Sequence, residues 1–200
     1  MATAMEVRGL TKRYARITVL DDVSFRTRPG RALALRGGNG SGKTTLLRCL
    51  NGTLRPDGGQ VLIDDQPYDP GSPGDPASVY GVLDDFAWFP ELTVGDHLAL
   101  LDPRCDPPAV LRRLGAGDLA DRTAASLSSG QRRRSALATV LVRPLRVLLL
   151  DEPEQRLDDD GLALVARELG AFLAAGRCVV LATHSDRLRA ALDADELRIG

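Results

Sequence analysis

The chain has 200 residues, with 26 basic and 27 acidic side chains, a net charge of -1 and a hydrophobic fraction of 44%. This length and composition are typical of a globular domain that buries a core without disulfide or metal crosslinks. The near-neutral charge argues against broad attraction to nucleic acid or anionic lipid. No run of about 18 apolar residues and no signal-peptide core occur. We therefore expect a cytosolic chain that meets a membrane only through a partner.

Two residue types are unusual in number or spacing. The 26 basic residues comprise 24 arginines and two lysines, Lys12 and Lys43. A codon-composition bias that turns lysine into arginine explains this scarcity, and under such a bias a lysine that survives can mark a position that arginine cannot fill. The three cysteines (Cys49, Cys105 and Cys178) are widely spaced and form no CxxC pair. They predict structural thiols in a reducing compartment rather than disulfides or a zinc site.

The first third of the chain reads as short strands separated by turns. Residues 31–36 (RALALR) predict a strand, and a helix is expected from about Lys43 to Asn51 after a glycine-rich segment. Turn-forming residues at 56–59 precede a second strand over Val61–Asp64. Residues 67–76 hold four prolines and two glycines, which predict an irregular loop.

The rest of the chain alternates helices and apolar strands. Short helices are expected over about 94–125 and a longer one over Gln131–Leu141, followed by the strand Val147–Leu150, the helix Leu162–Ala175 and the strand Cys178–Ala182. Fully apolar strands are typical of parallel sheets, which are buried on both faces. The sequence thus predicts an α/β fold with a central parallel sheet. We expect one domain over residues 1–200, with a helical subdomain inserted at about 84–140.

A glycine-rich segment joins the strand at 31–36 to the next helix. Residues 37–44 read GGNGSGKT and match GxxxxGK[ST], the phosphate-binding P-loop. Backbone N–H groups of such a loop face phosphate oxygens, while Lys43 supplies a point charge and the Thr44 hydroxyl a ligand for Mg²⁺. The residues expected to bind the phosphates are Gly37, Asn39, Gly40, Ser41, Gly42, Lys43, Thr44 and Thr45.

Two later strands end in polar residues, at the sheet edge where α/β proteins bind ligands. After the strand at 147–150, Asp151 is placed to hold Mg²⁺ and Glu152 to polarise an attacking water. After the strand at 178–182, His184 can hydrogen-bond a γ-phosphate, although a strand-end histidine can also be an ordinary surface residue. We expect Glu152, His184 and Lys43 to act in catalysis.

The segment LSSGQ at residues 127–131, together with Asp151-Glu152-Pro153 and His184, resembles the ATP-binding cassette (ABC) ATPases, and the similarity extends over nearly the whole chain. The resemblance implies a P-loop NTPase fold of the ABC type. Such a fold has a central, mostly parallel sheet, N-terminal antiparallel strands and a small helical subdomain. The resemblance also places Tyr14 at the aromatic position that stacks on adenine. It puts Asp158 in the loop that couples two nucleotide sites.

By residue type, LSSGQ is a second anion site. Ser128 can cap a helix, and Ser129 and Gly130 present N–H groups at the start of that helix, followed by Gln131. In ABC ATPases two chains pair head to tail, so that each ATP lies between one chain's P-loop and the other's LSSGQ. The resemblance therefore implies ATP and Mg²⁺ as cofactors and a second nucleotide-binding subunit, identical or not. It also implies a separate transmembrane permease as a partner.

These features predict the ATP-hydrolysing subunit of a compact exporter-type ABC transporter, peripheral on the cytoplasmic face of the membrane. The alternative is a non-transport ABC ATPase that acts on ribosomes or nucleic acid, where the basic run Arg132–Arg134 would contribute. The chain has one cassette and no coiled-coil heptads, which favours the transporter and no nucleic-acid partner. A P-loop kinase would leave LSSGQ unexplained.

Three positions depart from the family's pattern. Ser129 stands where glycine is commoner, and Arg156 precedes Leu157-Asp158 where a small residue is usual. The loop before residue 89 offers Asp84 or Asp85 where the family has a glutamine. A carboxylate there can contact Mg²⁺ but adds negative charge beside the γ-phosphate. The alternative is that this loop does not reach the metal.

Overall fold

A computed structural model describes residues 4–69, 79–83 and 86–200. The strands are β1 (Met5–Tyr14), β2 (Ile17–Thr27), β3 (Ala32–Arg36), β4 (Gly58–Ile63), β5 (Gln66–Tyr68), β6 (Val79–Val82), β7 (Val147–Asp151), β8 (Cys178–Ala182) and β9 (Asp195–Arg198). The helices are α1 (Lys43–Leu50), α2 (Val94–Leu101), α3 (Pro107–Arg112), α4 (Ser129–Ala138), α5 (Asp159–Ala174) and α6 (Asp186–Ala191). The strands and helices predicted above are all present, with some ends shifted by a few residues.

The N-terminal strands form a four-stranded antiparallel sheet in the order β2-β1-β4-β5. In β1, Met5 pairs with Thr27 of β2 on one side and with Ile63 of β4 on the other. The β1–β2 hairpin closes where Tyr14 pairs with Ile17, and Ala15 in the turn adopts a left-handed φ of 52°. The hairpin end therefore carries Tyr14, whose surface is 46% exposed.

The central sheet has five strands in the order β6-β7-β8-β3-β9, and each of its strand pairs is parallel. Near the ends of the strands, Ala182 of β8 lies opposite Leu35 of β3 on one side and Asp151 of β7 on the other. Because parallel strands end at the same sheet edge, the segments that follow β3, β7 and β8 come together there. This sheet and the antiparallel sheet confirm the predicted fold class.

Alternate residues of β7 point to opposite faces and enter two different cores. Val147 and Leu149 pack with Leu46 of α1 in the core shared with the antiparallel sheet. Leu148 and Leu150 pack on the other face, in a core that includes Phe172 of α5 and residues of α2 to α4. Burial on both faces explains why β7 reads as a continuous apolar run.

The helices between β6 and β7 begin at polar caps. Thr93 and Asp96 form a capping box at α2, and Asp106 caps α3 just before Pro107. Between α3 and α4 lie two short 3₁₀ segments, Gly117–Leu119 and Ala124–Ser126. These local signals agree with the short helices expected over about 94–125. Within the described residues, no helix has the length and apolar character to cross a lipid bilayer.

One local prediction is partly wrong. The irregular loop expected over residues 67–76 begins later, because Pro67 and Tyr68 belong to β5. Among the strands of the described residues, β5 pairs with β4 alone, at the edge of the sheet, where the missing N–H of a proline is tolerated. Residues 70–76 of the predicted loop lie outside the described residues.

Candidate nucleotide-binding site

The P-loop leads from β3 into α1 through a glycine that the local geometry requires. Gly42 precedes the first helical residue and has a φ of 102°, a conformation that L side chains rarely adopt. A Cβ at this position would also lie 2.9 Å from the Val19 carbonyl oxygen. The first N–H groups of α1 have no partner within the helix, as at any helix start. The loop therefore directs the positive end of α1 toward whatever binds there.

Lys43 is largely buried, with 8% of its surface exposed. Its Nζ donates hydrogen bonds to the carbonyl oxygens of Gly37 at 2.8 Å and Gly38 at 3.0 Å. The ammonium is thus held across the mouth of the loop by the loop's own backbone. A planar guanidinium has a different shape and donor geometry, which explains why arginine has not replaced this lysine.

Thr44 connects the P-loop to the end of β7. Its hydroxyl donates a hydrogen bond to Oδ2 of Asp151 across 2.6 Å. Hydroxyl and carboxylate oxygens are ligands that Mg²⁺ accepts, usually one or two from protein with the rest from phosphates and water. The described residues hold no cluster of three or more His, Cys, Asp or Glu side chains arranged for a metal. The Thr44–Asp151 pair therefore fits a magnesium ion that is bound jointly with phosphates.

Glu152 and His184 lie beside each other at the same sheet edge. Glu152 follows β7 in a left-handed conformation with φ 45°, and its N–H donates to the carbonyl oxygen of Ala182 at 2.8 Å. Nε2 of His184 is 3.5 Å from Oε1 of Glu152. The His184 side chain is 56% exposed, as expected for a surface histidine, but its ring also lies beside the Glu152 carboxylate.

A cavity of about 640 Å³ opens at this edge. Its lining includes Gly37 and Lys43 of the P-loop together with Thr183 and His184 after β8. Arg36, at the end of β3, adds a further cation to the wall. Two carboxylates, Asp186 and Glu196, line the same wall and lie 3.6 and 3.8 Å from the Arg36 guanidinium. The part of this polar lining that suits a phosphate-bearing ligand is therefore the P-loop backbone with Lys43.

The LSSGQ segment forms the start of α4. Ser128 Oγ accepts from the Gln131 N–H at 3.2 Å, and Gln131 Oε1 accepts from the Ser128 N–H at 2.9 Å. This capping box gives α4 a defined N-terminus at Ser129. A Cβ on Gly130 would lie 2.7 Å from the Arg156 carbonyl oxygen, so this glycine allows close packing of the loop after β7. These residues do not line the cavity that contains Lys43.

The loop after β7 contains Arg156, which departs from the family pattern, and Asp158, which matches it. Arg156 takes a left-handed φ of 64°, which is uncommon for a residue other than glycine. Asp158 caps α5, and its Oδ1 accepts from the Gly161 N–H at 2.8 Å. Asp84 and Asp85, the other departure, lie outside the described residues.

Tyr14 lies away from the P-loop cavity. It lines a second cavity of about 520 Å³, together with Asn51 and Tyr80. Lys12 Nζ is 5.8 Å from the centre of the Tyr14 ring. The exposed ring is available for stacking, although the structure does not bring it into one cavity with Lys43.

Two functional contacts were not evident from the sequence. Arg133, from the basic run Arg132–Arg134, donates to the carbonyl oxygens of Asp151 at 2.6 Å and Glu152 at 2.9 Å. Glu154, a third carboxylate after β7, accepts from the Thr183 hydroxyl at 2.6 Å and the His184 N–H at 2.8 Å. The one feature of the sequence that could have indicated the Glu154 contacts is the extra acidic residue in the segment DEPE at 151–154.

The cysteines are free thiols in this structure. Burial raises the pKa of the Cys49 thiol to about 11, and that of Cys178 also to about 11. Burial likewise raises the pKa of Cys105. Protonated thiols are poor nucleophiles and metal ligands, which agrees with the structural role predicted for them.

A phosphate-binding loop and strand-end carboxylates that meet at one edge of a parallel sheet are the arrangement of P-loop nucleoside triphosphatases. The antiparallel N-terminal sheet and the LSSGQ helix narrow the class to ATP-binding cassettes. The family model described as ABC transporter matches residues 20–155. The chain belongs to the ABC transporter family, as an ATP-binding subunit that hydrolyses ATP.

Two relatives show the similarity over most of the chain. The chain is 40% identical over 188 residues to the cytochrome c biogenesis ATP-binding export protein CcmA of Ruegeria pomeroyi, covering 92% of this chain and 85% of the relative. It is 35% identical over 190 residues to the Nod factor export ATP-binding protein I of Ralstonia nicotianae, covering 90% of this chain and 59% of that relative. Both relatives are described as ATP-binding export proteins, so the ribosome or nucleic-acid alternative is not supported.

Solved structures show the same fold. The cbiO1 protein of Clostridium perfringens, described as part of an ABC transporter complex, is 28% identical with a TM-score of 0.79, covering 100% of this chain and 85% of that one. A dimeric cassette in a post-hydrolysis state, bound to ADP and phosphate, is 22% identical with a TM-score of 0.86. The match covers 98% of this chain and 94% of that one. The second likeness concerns the fold alone.

Proposed function

We propose that this subunit hydrolyses ATP at the carboxyl ends of β3, β7 and β8, beside the cavity that Lys43 and His184 line. The observation that carries the proposal is the meeting of Lys43, the Thr44–Asp151 pair and the Glu152–His184 pair at one sheet edge. The P-loop residues Gly37, Asn39, Gly40, Ser41 and Gly42, with Lys43, Thr44 and Thr45, bind the phosphates through backbone N–H groups and the ammonium.

Thr44 and Asp151 hold Mg²⁺, which neutralises phosphate charge when bound. Glu152 accepts the proton of the attacking water, and the support is that its carboxylate lies 3.5 Å from His184, which lines the cavity. His184 donates to a γ-phosphate oxygen and lies within 3.5 Å of Glu152, so one residue orients the phosphate and the other activates the water. If the loop before residue 89 reaches the metal, Asp84 or Asp85 adds a further ligand.

Tyr14 stacks on the adenine ring of ATP. The support is its exposed position at the end of the β1–β2 hairpin, where a planar base can approach its face. Stacking of this kind contributes about 1–3 kcal/mol and does not require hydrogen bonds to the base edge.

A second nucleotide-binding subunit, identical or different, completes the site. The capping box at Ser128 and Gln131 presents the start of α4 as an anion site, with Ser129 and Gly130 in its first turn. This site lies outside the cavity of the same chain, so the phosphates it binds belong to another subunit's ATP. Asp158, on the loop that packs against Gly130, couples the two sites.

The subunit drives export through a separate transmembrane permease and works at the cytoplasmic face of the membrane. The support is the two export proteins named above, at 40% and 35% identity. The chain acts as one domain over residues 1–200, with the helical subdomain at about 84–140. Co-purification of the chain with a membrane protein encoded beside it tests this part of the proposal, and failure to associate would contradict it.

The substitution Glu152→Gln tests the hydrolytic site. We expect ATP binding to persist while turnover falls about a hundredfold or more, since a general base contributes on this scale. ATP should then hold two subunits together, which sedimentation in ATP and in ADP would detect. The matched control is Glu91→Gln, an exposed carboxylate before α2. Undiminished turnover in Glu152→Gln would remove Glu152 as the base.

A further inference from the structure

One carboxylate oxygen organises the turn that carries His184. Oε1 of Glu154 accepts hydrogen bonds from the Thr183 hydroxyl at 2.6 Å, the His184 N–H at 2.8 Å and the Ser185 N–H at 3.2 Å. The Ser185 N–H also donates to the Thr183 hydroxyl oxygen at 3.0 Å. Three consecutive residues after β8 are therefore tied to a single atom of the segment after β7.

The same turn after β7 carries both Glu152 and Glu154. The Gln155 N–H donates to the Glu152 carbonyl oxygen at 3.0 Å, which closes this turn. The His184 ring, in contrast, projects into solvent with 56% of the side chain exposed. Its position relative to Glu152 thus depends mainly on where its backbone is held. Glu154 supplies that anchor from within two residues of Glu152.

We propose that Glu154 is a positioning residue for ATP hydrolysis, which fixes the turn at 183–185 and so sets the place of His184. This inference rests on the proposed role of His184 at the γ-phosphate. An ionised carboxylate forms shorter and stronger hydrogen bonds to N–H and O–H donors than a neutral acceptor does. It is also an acceptor only, so all three donors of the turn can point at it.

The second oxygen of Glu154 shows that stability alone does not account for this residue. Oε2 is buried and has no hydrogen-bond partner among the described residues. A buried acceptor without a donor costs stability, and such groups in native proteins call for a specific explanation. Holding the backbone of His184 at a set distance from Glu152 is that explanation.

The variants Glu154→Ala, His184→Ala and the double substitution test the inference. We expect Glu154→Ala to lower kcat about tenfold or more, because small misplacement of a reacting group has effects on this scale. The Kd for ATP should change less than about twofold, since Glu154 is not in the P-loop. Glu154→Gln, which keeps one acceptor oxygen, should recover most of the turnover. Glu91→Ala serves as the control for loss of an acidic side chain.

The double variant separates positioning from a general structural effect. If Glu154 acts through His184, adding Glu154→Ala to His184→Ala should lower kcat no further, because neighbouring sites in one mechanism are not additive. If kcat of the double variant instead falls by the product of the two single effects, the inference is overturned. If His184→Ala lowers kcat and Glu154→Ala does not, only the role of Glu154 is wrong. If His184→Ala leaves kcat unchanged, the proposed role of His184 is wrong, and this inference with it.

A variant that retains Glu154 covers the case in which Glu154→Ala does not fold. Thr183→Val removes the shortest of the three hydrogen bonds to Oε1. We expect Thr183→Val to lower kcat, as Glu154→Ala does. In the His184→Ala background it should cause no further decrease in kcat. Unchanged turnover in folded Thr183→Val would count against the positioning role.

Discussion

The Thr44 hydroxyl donates a hydrogen bond to Asp151 Oδ2 across 2.6 Å, although the two residues are 107 positions apart in the chain. The bond joins the first turn of α1 to the end of β7. It brings together two oxygen ligands of the kind that Mg²⁺ binds, one of them the neighbour in sequence of Lys43, which lines the cavity. The dependence of ATP turnover on Mg²⁺ therefore tests the pairing directly.

Replacing the hydroxyl should weaken the metal site specifically. We expect Thr44→Val to raise the Mg²⁺ concentration for half-maximal ATP turnover about tenfold or more, because a direct ligand is lost. Thr44→Ser, which keeps the hydroxyl, should remain close to the parent protein. A Mg²⁺ titration at fixed ATP measures the effect, with the exposed Thr53→Val as control. An unchanged Mg²⁺ requirement in Thr44→Val would contradict the assignment.

Lys43 should not tolerate replacement by arginine despite the arginine-rich composition. Its ammonium fits between the carbonyl oxygens of Gly37 and Gly38, and it approaches the phosphates as a point charge. We expect both Lys43→Ala and Lys43→Arg to weaken ATP binding by about tenfold or more. Titration calorimetry with MgATP measures this. Parent-like affinity in Lys43→Ala would show that the ammonium does not bind phosphate.

Lys12, the other lysine, has a structural explanation. Its Nζ donates to the Arg55 carbonyl oxygen at 2.8 Å and to Asp57 Oδ1 at 3.1 Å. The Arg13 N–H and Lys12 together hold the pKa of Asp57 below its usual range. We expect Lys12→Met to lower the Tm by about 2–4 °C and Lys12→Arg to lower it less. Thermal unfolding at neutral pH measures both, and an unchanged Tm in Lys12→Met would disprove the role.

Glu6 provides a pH-dependent contribution to stability. Hydrogen bonds from Arg8 and from Arg26 lower the pKa of Glu6 from 4.5 to about 2. Because the pKa of Glu6 is lower in the folded state, its ionised carboxylate stabilises the fold at any pH above 4.5, the value for the unfolded chain. This stabilisation is lost as the pH falls from 4.5 toward about 2. Glu6→Gln should therefore lower the Tm most at pH 7, with a smaller difference at pH 4. A Tm difference that does not narrow on acidification would refute this linkage, and Glu91→Gln is the control.

Tyr14 should contribute to nucleotide affinity through its ring alone. We expect Tyr14→Ala to weaken ATP binding by about 1–3 kcal/mol, while Tyr14→Phe stays close to the parent. Inorganic triphosphate lacks a base, so its binding should not change in either variant. Competition of triphosphate and ATP for the P-loop measures both affinities. Equal weakening of ATP and triphosphate would indicate a structural effect and not stacking.

The sequence alone determined the parts of this protein that depend on short spacings. The P-loop is eight consecutive residues, and the apolar runs at β7 and β8 mark strands that are buried on both faces. Because parallel strands end at one edge, the meeting of Asp151, Glu152 and His184 with the P-loop also followed from the sequence. These inferences need only local pattern and one topological rule.

Only the tertiary structure decided which polar side chains hold that edge together. Glu154 meets the turn at 183–185 from about 30 residues away, and Arg133 reaches the carbonyl oxygens of Asp151 and Glu152 from 18 and 19 residues away. Lys12 finds its acceptors 43 and 45 residues later in the chain. No residue pattern encodes such contacts, because they arise from the relative placement of separate strands and helices. A run of arginines and an extra carboxylate look like solvated surface until the packing assigns their partners.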